Sequence, residues 1–239
     1  MKRIHLISNP RNLSTALMYS FAQRSDTRVV DEPFYGYYLI QRPEVDHPGK
    51  EQILSSMETN AQAILDEVIF GDYDRSVLFI KNMAHHFVEL DHRFIIKLTN
   101  LFLVRNPKQL ISSIAQQMKT PTMDDIGCYQ QYKFYQFLQE LSLPAVVLDS
   151  GELLKDPPGV LQKLCKVLDL PFEEQMLSWE PKPRPEDGIW ARYWYRNVHQ
   201  STGFSRQPTS DRPLPPHLEE LYEATLPFYN KLYENAIRA

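Results

Sequence analysis

Short, nearly continuous apolar runs alternate with longer segments of helical periodicity along this chain of 239 residues. A strand that is one unbroken apolar run is buried on both faces, which is typical of parallel sheets covered by crossover helices. The pattern therefore predicts an α/β fold class, with a three-layer parallel β-sheet of about five strands flanked by helices. The predicted strands are Ile4–Ile7, Arg28–Asp31, Ser76–Lys81, Asn100–Val104 and Ala145–Leu148.

The segments between and after these strands have apolar residues at helical spacing or recognisable end signals. Leu13, Leu17 and Phe21, for example, recur every fourth position and predict one buried stripe. Pro227 lies inside the last segment, so we expect a kink or a break there. The predicted helices are Ser14–Arg24, Glu51–Val68, Pro107–Met118, Asp124–Leu141, Gly159–Leu168 and Pro215–Ala236.

One shift in composition interrupts this pattern, at about residues 181–216. The segment is rich in proline and contains the aromatic residues Trp190, Tyr193, Trp194 and Tyr195. Too little chain follows it to form a separate domain, so we interpret it as a lid. We therefore expect a single domain over residues 1–239 with a Pro/aromatic-rich lid at about 181–216.

Glycine is scarce, with eight residues against eighteen prolines. Average usage is ~7% glycine, about twice what this chain contains. Neither G-x-G-x-x-G nor G-x-x-x-x-G-K-[ST] occurs, which excludes the standard dinucleotide-binding and Walker-type loops.

The formal net charge of −4 argues against nucleic acid or an anionic membrane surface as a partner. Cys128 and Cys165 lack C-x-x-C spacing, so neither a disulfide framework nor a zinc cluster is predicted. The first apolar run is too short for a signal peptide, and none reaches the ~18 residues of a membrane-spanning helix. We expect a cytoplasmic location, and the sequence leaves the oligomeric state open.

Charged or hydroxylated residues follow every predicted strand, at the carboxyl edge where open parallel sheets bind ligands. The first strand leads into the segment S-N-P-R-N-L-S-T, residues 8–15, and then into a helix. A helix N-terminus with free N–H groups attracts anions, and Arg11 adds a guanidinium suited to phosphate or sulfate. Ser14 and Thr15 can donate to the same anion. The alternative is that Ser14 merely caps the helix and Arg11 is a solvated surface residue.

The fourth strand leads into a second basic turn, in which Arg105 ends the strand and Pro107 opens a helix. Lys108 lies in the first turn of that helix, where a cation is unfavourable for the helix dipole unless an anion is bound. Ser113 follows eight residues after Arg105. The alternative is a fortuitous basic turn. Two predicted anion sites on one sheet edge, however, indicate anion binding more specifically than either site does alone.

These two segments resemble motifs of the sulfotransferases that use 3′-phosphoadenosine 5′-phosphosulfate (PAPS). Residues 10–15 resemble the family's 5′-phosphosulfate loop, P-[KR]-S-G-T-[TS], with Asn12-Leu13 in place of Ser-Gly. Residues 103–108 together with Ser113 resemble the 3′-phosphate motif, R-[ND]-P-x(5)-S. The late R-K-G segment of some members is missing.

The resemblance implies a P-loop NTPase-like fold, a PAPS donor that leaves as 3′-phosphoadenosine 5′-phosphate (PAP), and no metal. It further implies sulfuryl transfer to a hydroxyl or amine of a small-molecule acceptor. By the same resemblance, Arg105 and Ser113 hold the 3′-phosphate. The residues implied for the 5′ end of the donor are Arg11, Asn12, Leu13, Ser14 and Thr15.

The acceptor's proton requires a base, and the sequence offers two principal candidates. Some family members use a His just after the third strand, which suggests His85, or His86 behind it, with Lys81 nearby. Others use a Glu at the end of the second strand, which matches Glu32. Two simpler interpretations stay open: an ordinary ion pair of Glu32 with Arg11 or Arg28, and a metal site around the histidines, whose spacing matches no ligand signature.

Two other functions are compatible with the same residues. One is a P-loop-like small-molecule kinase, against which the missing Walker Lys-Ser/Thr pair argues. The other is a non-catalytic nucleotide-binding relative, which the substituted Asn12-Leu13 dipeptide keeps open.

Overall fold

The computed structural model describes residues 1–205 and 212–239 of the chain. The strands in these ranges are β1 Lys2–Ser8, β2 Thr27–Asp31, β3 Val77–Met83, β4 Thr99–Val104, β5 Ala145–Asp149 and β6 Ala236–Ile237. They form one six-stranded sheet in the order β2-β3-β1-β4-β5-β6, and every pairing is parallel. The chain runs from β1 to β2 and β3 on one side and then crosses over β1 to β4 on the other, and this reversal opens a crevice at the carboxyl end of β1.

Helices cover both faces of this sheet. They are α1 Ser14–Phe21, α2 Tyr35–Gln41, α3 Lys50–Ser56, α4 Ala61–Ala63 continued by π-helical Ile64–Ile69, α5 Pro107–Ile114, α6 Met123–Ile126, α7 Cys128–Glu140, α8 Ser150–Lys155, α9 Pro157–Val167, α10 Ala191–Trp194, α11 Arg196–His199 and α12 Glu219–Tyr233. The three-layer parallel α/β sheet expected from the sequence is confirmed, with one strand more than the five predicted.

Two apolar cores lie on opposite sides of the sheet, because successive strand residues point to opposite faces. On β4, Leu101 packs in the core beneath α1 and α9, whereas Phe102 packs in the core beneath α7 and α12. Phe21 of α1 stacks on Phe79 of β3 with ring centroids 4.2 Å apart. This packing fixes α1, and with it the loop that leads into α1, above the carboxyl ends of β1 and β3.

Two predicted helices are each divided in the structure. The helix predicted over Glu51–Val68 ends at Ser56, because Met57 is extended and Asn60 then caps α4 by accepting from the Ala63 N–H. The helix predicted over Asp124–Leu141 is interrupted at Gly127, whose φ of 66° is left-handed and separates α6 from α7.

The expected break at Pro227 does not occur, and α12 runs through this residue. Leu221 before it packs against the α5 core, and Leu232 after it packs in the core beneath α7. Tertiary packing of both halves therefore holds the helix together where propensity alone predicts its end. The short elements α2, α8 and β6 gave too few residues for a period to be recognised in the sequence.

The segment predicted as a lid is described in part, over 181–205 and 212–216, whereas residues 206–211 lie outside the described residues. Its described part contains α10 and α11. Trp190 and Tyr195 are buried against Tyr35 and Leu39 of α2. This packing places the segment beside the carboxyl ends of β2 and β3, while its action as a lid and the single-domain organisation stay predictions.

Candidate functional site

The loop between β1 and α1 is built from residues in strained backbone conformations. Arg11 has a φ of 60° and Leu13 a φ of 58°, in the left-handed region that favours glycine. Leu13 is the N-cap of α1 and makes no side-chain capping hydrogen bond, so the first N–H groups of the helix have no side-chain acceptor at the cap. Ser14 lies inside the helix, which removes the interpretation of this serine as the cap.

Hydrogen bonds to neighbouring strands hold the loop in this shape. Asn12 is buried and donates from Nδ2 to the Leu103 carbonyl over 2.5 Å. Gln131 of α7 donates from Nε2 to two strand carbonyls, that of Ile7 over 2.9 Å and that of Leu103 over 2.8 Å. One amide therefore bridges the carboxyl ends of the neighbouring strands β1 and β4 at the crevice.

Three residues predicted from two separate motifs meet at this edge. Arg11 donates from Nε to Ser113 Oγ over 3.1 Å, and Arg105 donates from Nη1 to the Arg11 carbonyl over 2.5 Å. Asn106 caps α5 by accepting from the Lys108 N–H over 3.0 Å, and the Lys108 side chain is exposed. The structure therefore brings Arg11, Arg105 and Ser113 together and leaves Lys108 outside the cluster.

Positive charge in this cluster is incompletely compensated. Burial lowers the pKa of Arg11, and the charge of Arg212 lowers it further. Burial followed by the charge of Arg11 lowers the pKa of Arg105 to about 10, with a partial opposing effect of Asp149. Guanidiniums held together in this way create a local field that a bound dianion would relieve.

On the other side of the loop, the ends of β2 and β3 carry a buried cluster of ionisable groups. Lys81 is fully buried, and its Nζ donates to Asp31 Oδ1 over 2.8 Å and to Glu32 Oε1. Glu32 itself is in the left-handed region with a φ of 45°. The ion-pair partner of Glu32 is thus Lys81, which corrects the interpretation in which Arg11 or Arg28 would pair with it.

Burial raises the pKa of Glu32, which the positive charge of Lys81 opposes and the negative charge of Asp31 reinforces. For Lys81, burial alone would lower the pKa, but the two carboxylates outweigh it and the net direction is upward. The lysine therefore stays charged between two acids, and Glu32 is an acid of unusually high proton affinity. In the described residues, Lys81 and Tyr195 both contact Oε1 of Glu32, which leaves Oε2 available.

Tyr195 from the segment predicted as a lid completes this cluster. Its hydroxyl lies 2.7 Å from Lys81 Nζ and 2.8 Å from Asp31 Oδ2, and it accepts from Trp190 Nε1 over 3.2 Å. Neither Tyr195 nor Gln131 was identified from the sequence as a site residue. Tyr195 lies 114 residues from Lys81 and Gln131 lies 124 residues from Ile7, so no local pattern could have indicated these contacts.

The two histidines after β3 are in an aromatic cluster rather than in a polar one. His86 stacks between Tyr35 and Tyr38 with centroids 4.9 Å from each, and His85 packs edge-on against Tyr38 at 5.2 Å. Burial, followed by the nearby charge of His47, lowers the pKa of His85 to about 4. His85 is therefore neutral near pH 7 and strongly resists protonation.

The order of the strands places these features along one line. The Asp31–Glu32–Lys81 cluster lies at β2 and β3, the α1 loop at β1, and Arg105 at β4. Thr15, the second residue of α1, is half-buried. In residues 1–205 and 212–239, no group of three His, Cys, Asp or Glu side chains is arranged to hold a metal ion.

Comparison with known proteins relates the chain to one domain family and to two plant proteins. A family model described as a sulfotransferase domain matches residues 1–236. Two Arabidopsis thaliana proteins, branched-chain-amino-acid aminotransferase-like proteins 1 and 2, are 38% and 36% identical over 96% and 97% of this chain. The matching segment is 41% of each relative, so the chain spans about two fifths of the length of these curated relatives.

Solved structures share the fold at low sequence identity. A sulfotransferase from Alicyclobacillus acidocaldarius aligns with a TM-score of 0.56 and 14% identity, covering 100% of this chain and 97% of that one. A sulfotransferase domain from the curacin biosynthetic pathway aligns with a TM-score of 0.52 and 16% identity, covering 93% and 96%. Across the described parts of the chain, no helix has both the length and the apolar character needed to cross a bilayer.

Proposed function

The chain belongs to the sulfotransferase domain family, and from this membership we propose that it transfers a sulfuryl group from PAPS to a hydroxyl or amine of a small-molecule acceptor. The reaction is an in-line displacement. The bond between the acceptor atom and sulfur forms as the bond from sulfur to the bridging oxygen of PAPS breaks. PAP leaves with the electron pair of that bond, and a base on the protein takes the acceptor's proton.

The order of groups along the sheet edge carries this proposal. Arg105 at β4 lies on one side of the α1 loop, in contact with Arg11 of the loop, and the carboxylate cluster at β2 and β3 lies on the other side. A donor with its 5′-phosphosulfate in the loop and its 3′-phosphate toward β4 would direct its transferable group to the side of β2 and β3. The basic and acidic groups are thereby assigned to opposite ends of one reaction axis.

On the donor side, Arg11 and the N-terminus of α1 would hold the 5′ end. The N–H groups near Asn12 and Leu13 and the hydroxyls of Ser14 and Thr15 supply donors there. The uncapped N-terminus of α1 supports this assignment, because its N–H groups are free of a side-chain acceptor at the cap.

Arg105 and Ser113 would bind the 3′-phosphate. Ser113 Oγ already accepts a hydrogen bond from Arg11, and its own hydroxyl hydrogen is free to donate to a phosphate oxygen. The guanidinium of Arg105 is buried enough for its charge to act at low local dielectric. Charge-assisted hydrogen bonds of this kind are the strong ones.

On the acceptor side, we assign Glu32 as the base and Lys81 as the group that orients it. Taking up a proton makes Glu32 neutral, which its buried position favours, whereas it would make His85 a buried cation. A carboxylate with raised proton affinity removes the proton of a hydroxyl or amine acceptor near neutral pH more effectively than an ordinary carboxylate does. His85, beside the same edge, is then a wall of the acceptor site.

The proposal extends to the cellular location, the domain organisation and the partners of the chain. Cys128 and Cys165 are both free and buried, in keeping with a reducing cytoplasmic environment. We take residues 1–239 as one domain with the segment at about 181–216 as its lid, and neither nucleic acid nor membrane as a partner. The residues give no requirement for a metal, since Arg and Lys side chains would supply the positive charge.

Two measurements test the function. Calorimetry in the presence of EDTA should show PAP binding and much weaker ATP binding, and the absence of PAP binding at millimolar concentration would overturn the proposal. Incubation with ³⁵S-labelled PAPS and a pooled extract of small metabolites should label a low-molecular-weight product. PAP binding without any transfer would indicate the non-catalytic relative, and Mg²⁺-dependent ATP binding with phosphoryl transfer would indicate the kinase.

A further inference from the structure

The buried cluster at β2 and β3 contains two carboxyl groups, but only one of them can serve as the base. Asp31 and Glu32 are adjacent in the chain, and both contact the same Lys81 ammonium. Their combined charge with Lys81 is −1 when both are ionised, which is costly in a buried site. Such a pair readily takes up one proton, and something must decide which carboxyl receives it.

The hydrogen-bond inventory of the cluster decides this. Lys81 has three N–H donors, and they are directed at Asp31, Glu32 and the Tyr195 oxygen. The Tyr195 oxygen accepts from Lys81 and from Trp190 Nε1, so both of its acceptor positions are filled. The one hydrogen bond that the phenol can still make is therefore one in which its O–H is the donor.

That proton has an unequal choice of acceptors. Tyr195 lies 2.8 Å and 3.0 Å from the two oxygens of Asp31 but 3.3 Å from Glu32 Oε1. The Gly188 N–H also points to Asp31 Oδ2, over 3.4 Å. Asp31 thus accepts hydrogen bonds from Lys81, from Tyr195 and from the Gly188 backbone. Glu32 accepts its principal hydrogen bond from Lys81 alone. Donors to a carboxylate stabilise its ionised form.

We propose that Tyr195 is a positioning residue, whose phenol commits Asp31 to the ionised state and thereby leaves Glu32 as the carboxyl that takes the acceptor's proton. The catalytic role in this inference rests on the proposed function. The hydrogen bonds that support it are present without any ligand. It makes the Trp190–Tyr195 segment part of the acid–base apparatus rather than a cover alone.

Burial and the negative charges of Asp31 and Glu32 keep the pKa of Tyr195 well above its ordinary value, so the phenol remains a donor. Further titratable groups near the cluster are Tyr35 of α2, whose pKa is raised by burial and then by the charge of Glu32, and His86, whose pKa is lowered by burial and then by neighbouring positive charges that include Lys81. Tyr35 is therefore neutral near pH 7 and leaves the choice between the two carboxyls to Lys81 and Tyr195.

The test is a ¹³C NMR titration of side-chain carboxyls in the full chain, with the Glu32 and Asp31 signals assigned from Glu32→Gln and Asp31→Asn. In the wild-type protein, Glu32 should titrate at higher pH than Asp31. In Tyr195→Phe, which keeps the ring but removes the donor, the separation between the two titrations should shrink. Tyr193→Phe, on the same segment but facing Gly49 of the α3 N-terminus, should leave the separation unchanged.

An unchanged separation in Tyr195→Phe would overturn the inference, as would a wild-type protein in which Asp31 titrates above Glu32. Trp190→Phe provides a second variant should Tyr195→Phe fail to fold. It removes one donor to the phenol oxygen, which should weaken the phenol as a donor and give a smaller change of the same sign.

Activity supplies an independent measurement. Tyr195→Phe should lower kcat roughly tenfold, about the effect of one hydrogen bond to a charged group, with KM for PAPS unchanged. If the wild-type protein transfers no sulfuryl group, the proposed function fails, yet the NMR titration still decides the role of Tyr195. If transfer occurs and the two carboxyl titrations are insensitive to Tyr195, the function stands and the inference fails.

Discussion

Arg105 donates a hydrogen bond from Nη1 to the backbone carbonyl of Arg11 over 2.5 Å. The contact joins the loops that follow β1 and β4, which are 94 residues apart in the chain. It joins two sequence motifs into one cluster, which we propose binds an anion, since the Arg11 side chain in turn reaches Ser113. Each element of this site therefore depends on the others for its position.

We expect Arg105→Ala to weaken PAP binding by at least tenfold, because it removes both a charge-assisted contact to the ligand and the support for the Arg11 carbonyl. Isothermal titration calorimetry with PAP measures the loss. Arg93→Ala is the matched control, since it removes an equal charge from an exposed residue paired with Asp91 near the opposite end of β4. Equal losses in the two variants would show that only net charge matters.

Leu13 offers a test of backbone strain in the α1 loop. Leu13→Gly and Leu13→Ala both remove the side chain beyond Cβ, so their comparison isolates the cost of a left-handed φ. We expect the glycine variant to be the more stable by about 1 kcal/mol. Chemical denaturation measures the difference. In the interior of α1 the order should reverse, with Ala16→Gly less stable than wild type by about 0.5–1 kcal/mol.

Lys81→Met should destabilise the fold by about 3–5 kcal/mol near neutral pH, because it leaves Asp31 and Glu32 as uncompensated buried charges. The loss should diminish at lower pH. A carboxyl whose folded-state pKa is raised stabilises the fold below its unfolded pKa, and this stability is lost as pH rises through the folded pKa. Urea unfolding at acidic and mildly alkaline pH measures the effect. Adding Asp31→Asn to Lys81→Met should recover part of the stability, and a pH-independent loss would contradict the explanation.

Acid should destabilise the protein through its buried neutral histidines. Burial lowers the pKa of His5 from 6.5 to about 4, with Asn100 opposing the shift; it lowers the pKa of His85 to about 4 and that of His86 well below its ordinary value. Their stabilising contribution is complete above pH 6.5 and is lost as pH falls toward 4, because the unfolded chain binds protons that the folded one does not.

Each such histidine contributes up to about 1.4 kcal/mol per pH unit to the slope of the free energy of unfolding, while Glu32 acts in the opposite direction. His85→Gln should therefore reduce the slope by about one proton. His217→Gln, at an exposed site, serves as the control. Unfolding free energies measured across this pH range give both slopes, and identical slopes for wild type and His85→Gln would contradict the assignment.

The identity of the base can be decided by two substitutions. Glu32→Gln should lower kcat by about 10²–10⁴-fold while PAP affinity stays near the wild-type value, because Glu32 lies on the acceptor side of the loop. His85→Gln should affect KM for the acceptor more than kcat. A kcat loss confined to His85→Gln would assign the base to the histidine instead.

The sequence alone predicts those parts of the fold and the candidate site that depend on local order. Arg11 and Arg105 directly follow buried strands, so the parallel sheet necessarily brings their backbones to the same edge. Lys81 and Glu32 were found in the same way. Tyr195 and Gln131 were not, because their contacts depend on how distant segments pack and have no periodic or motif signature.

Leu13 shows a different limit of the sequence. The resemblance places it where the sulfotransferase loop has glycine, and the structure shows that the glycine-like conformation is nevertheless kept. The low glycine content of the chain gave no indication that bulkier residues would adopt the left-handed backbone. The hydrogen bond from Asn12 to the Leu103 carbonyl supports that conformation, and this contact is tertiary rather than local.

The bridge that Gln131 makes between the carbonyls of Ile7 and Leu103 has a consequence for the order of folding. Its partner in β1 is 124 residues earlier in the chain, so the loop near the amino terminus obtains its final support only after α7 has docked. Contacts of such long separation form late, since the intervening chain must first be closed into a loop. During synthesis, the proposed anion site around Arg11 therefore matures only once Gln131 and the rest of α7 have emerged, more than a hundred residues later.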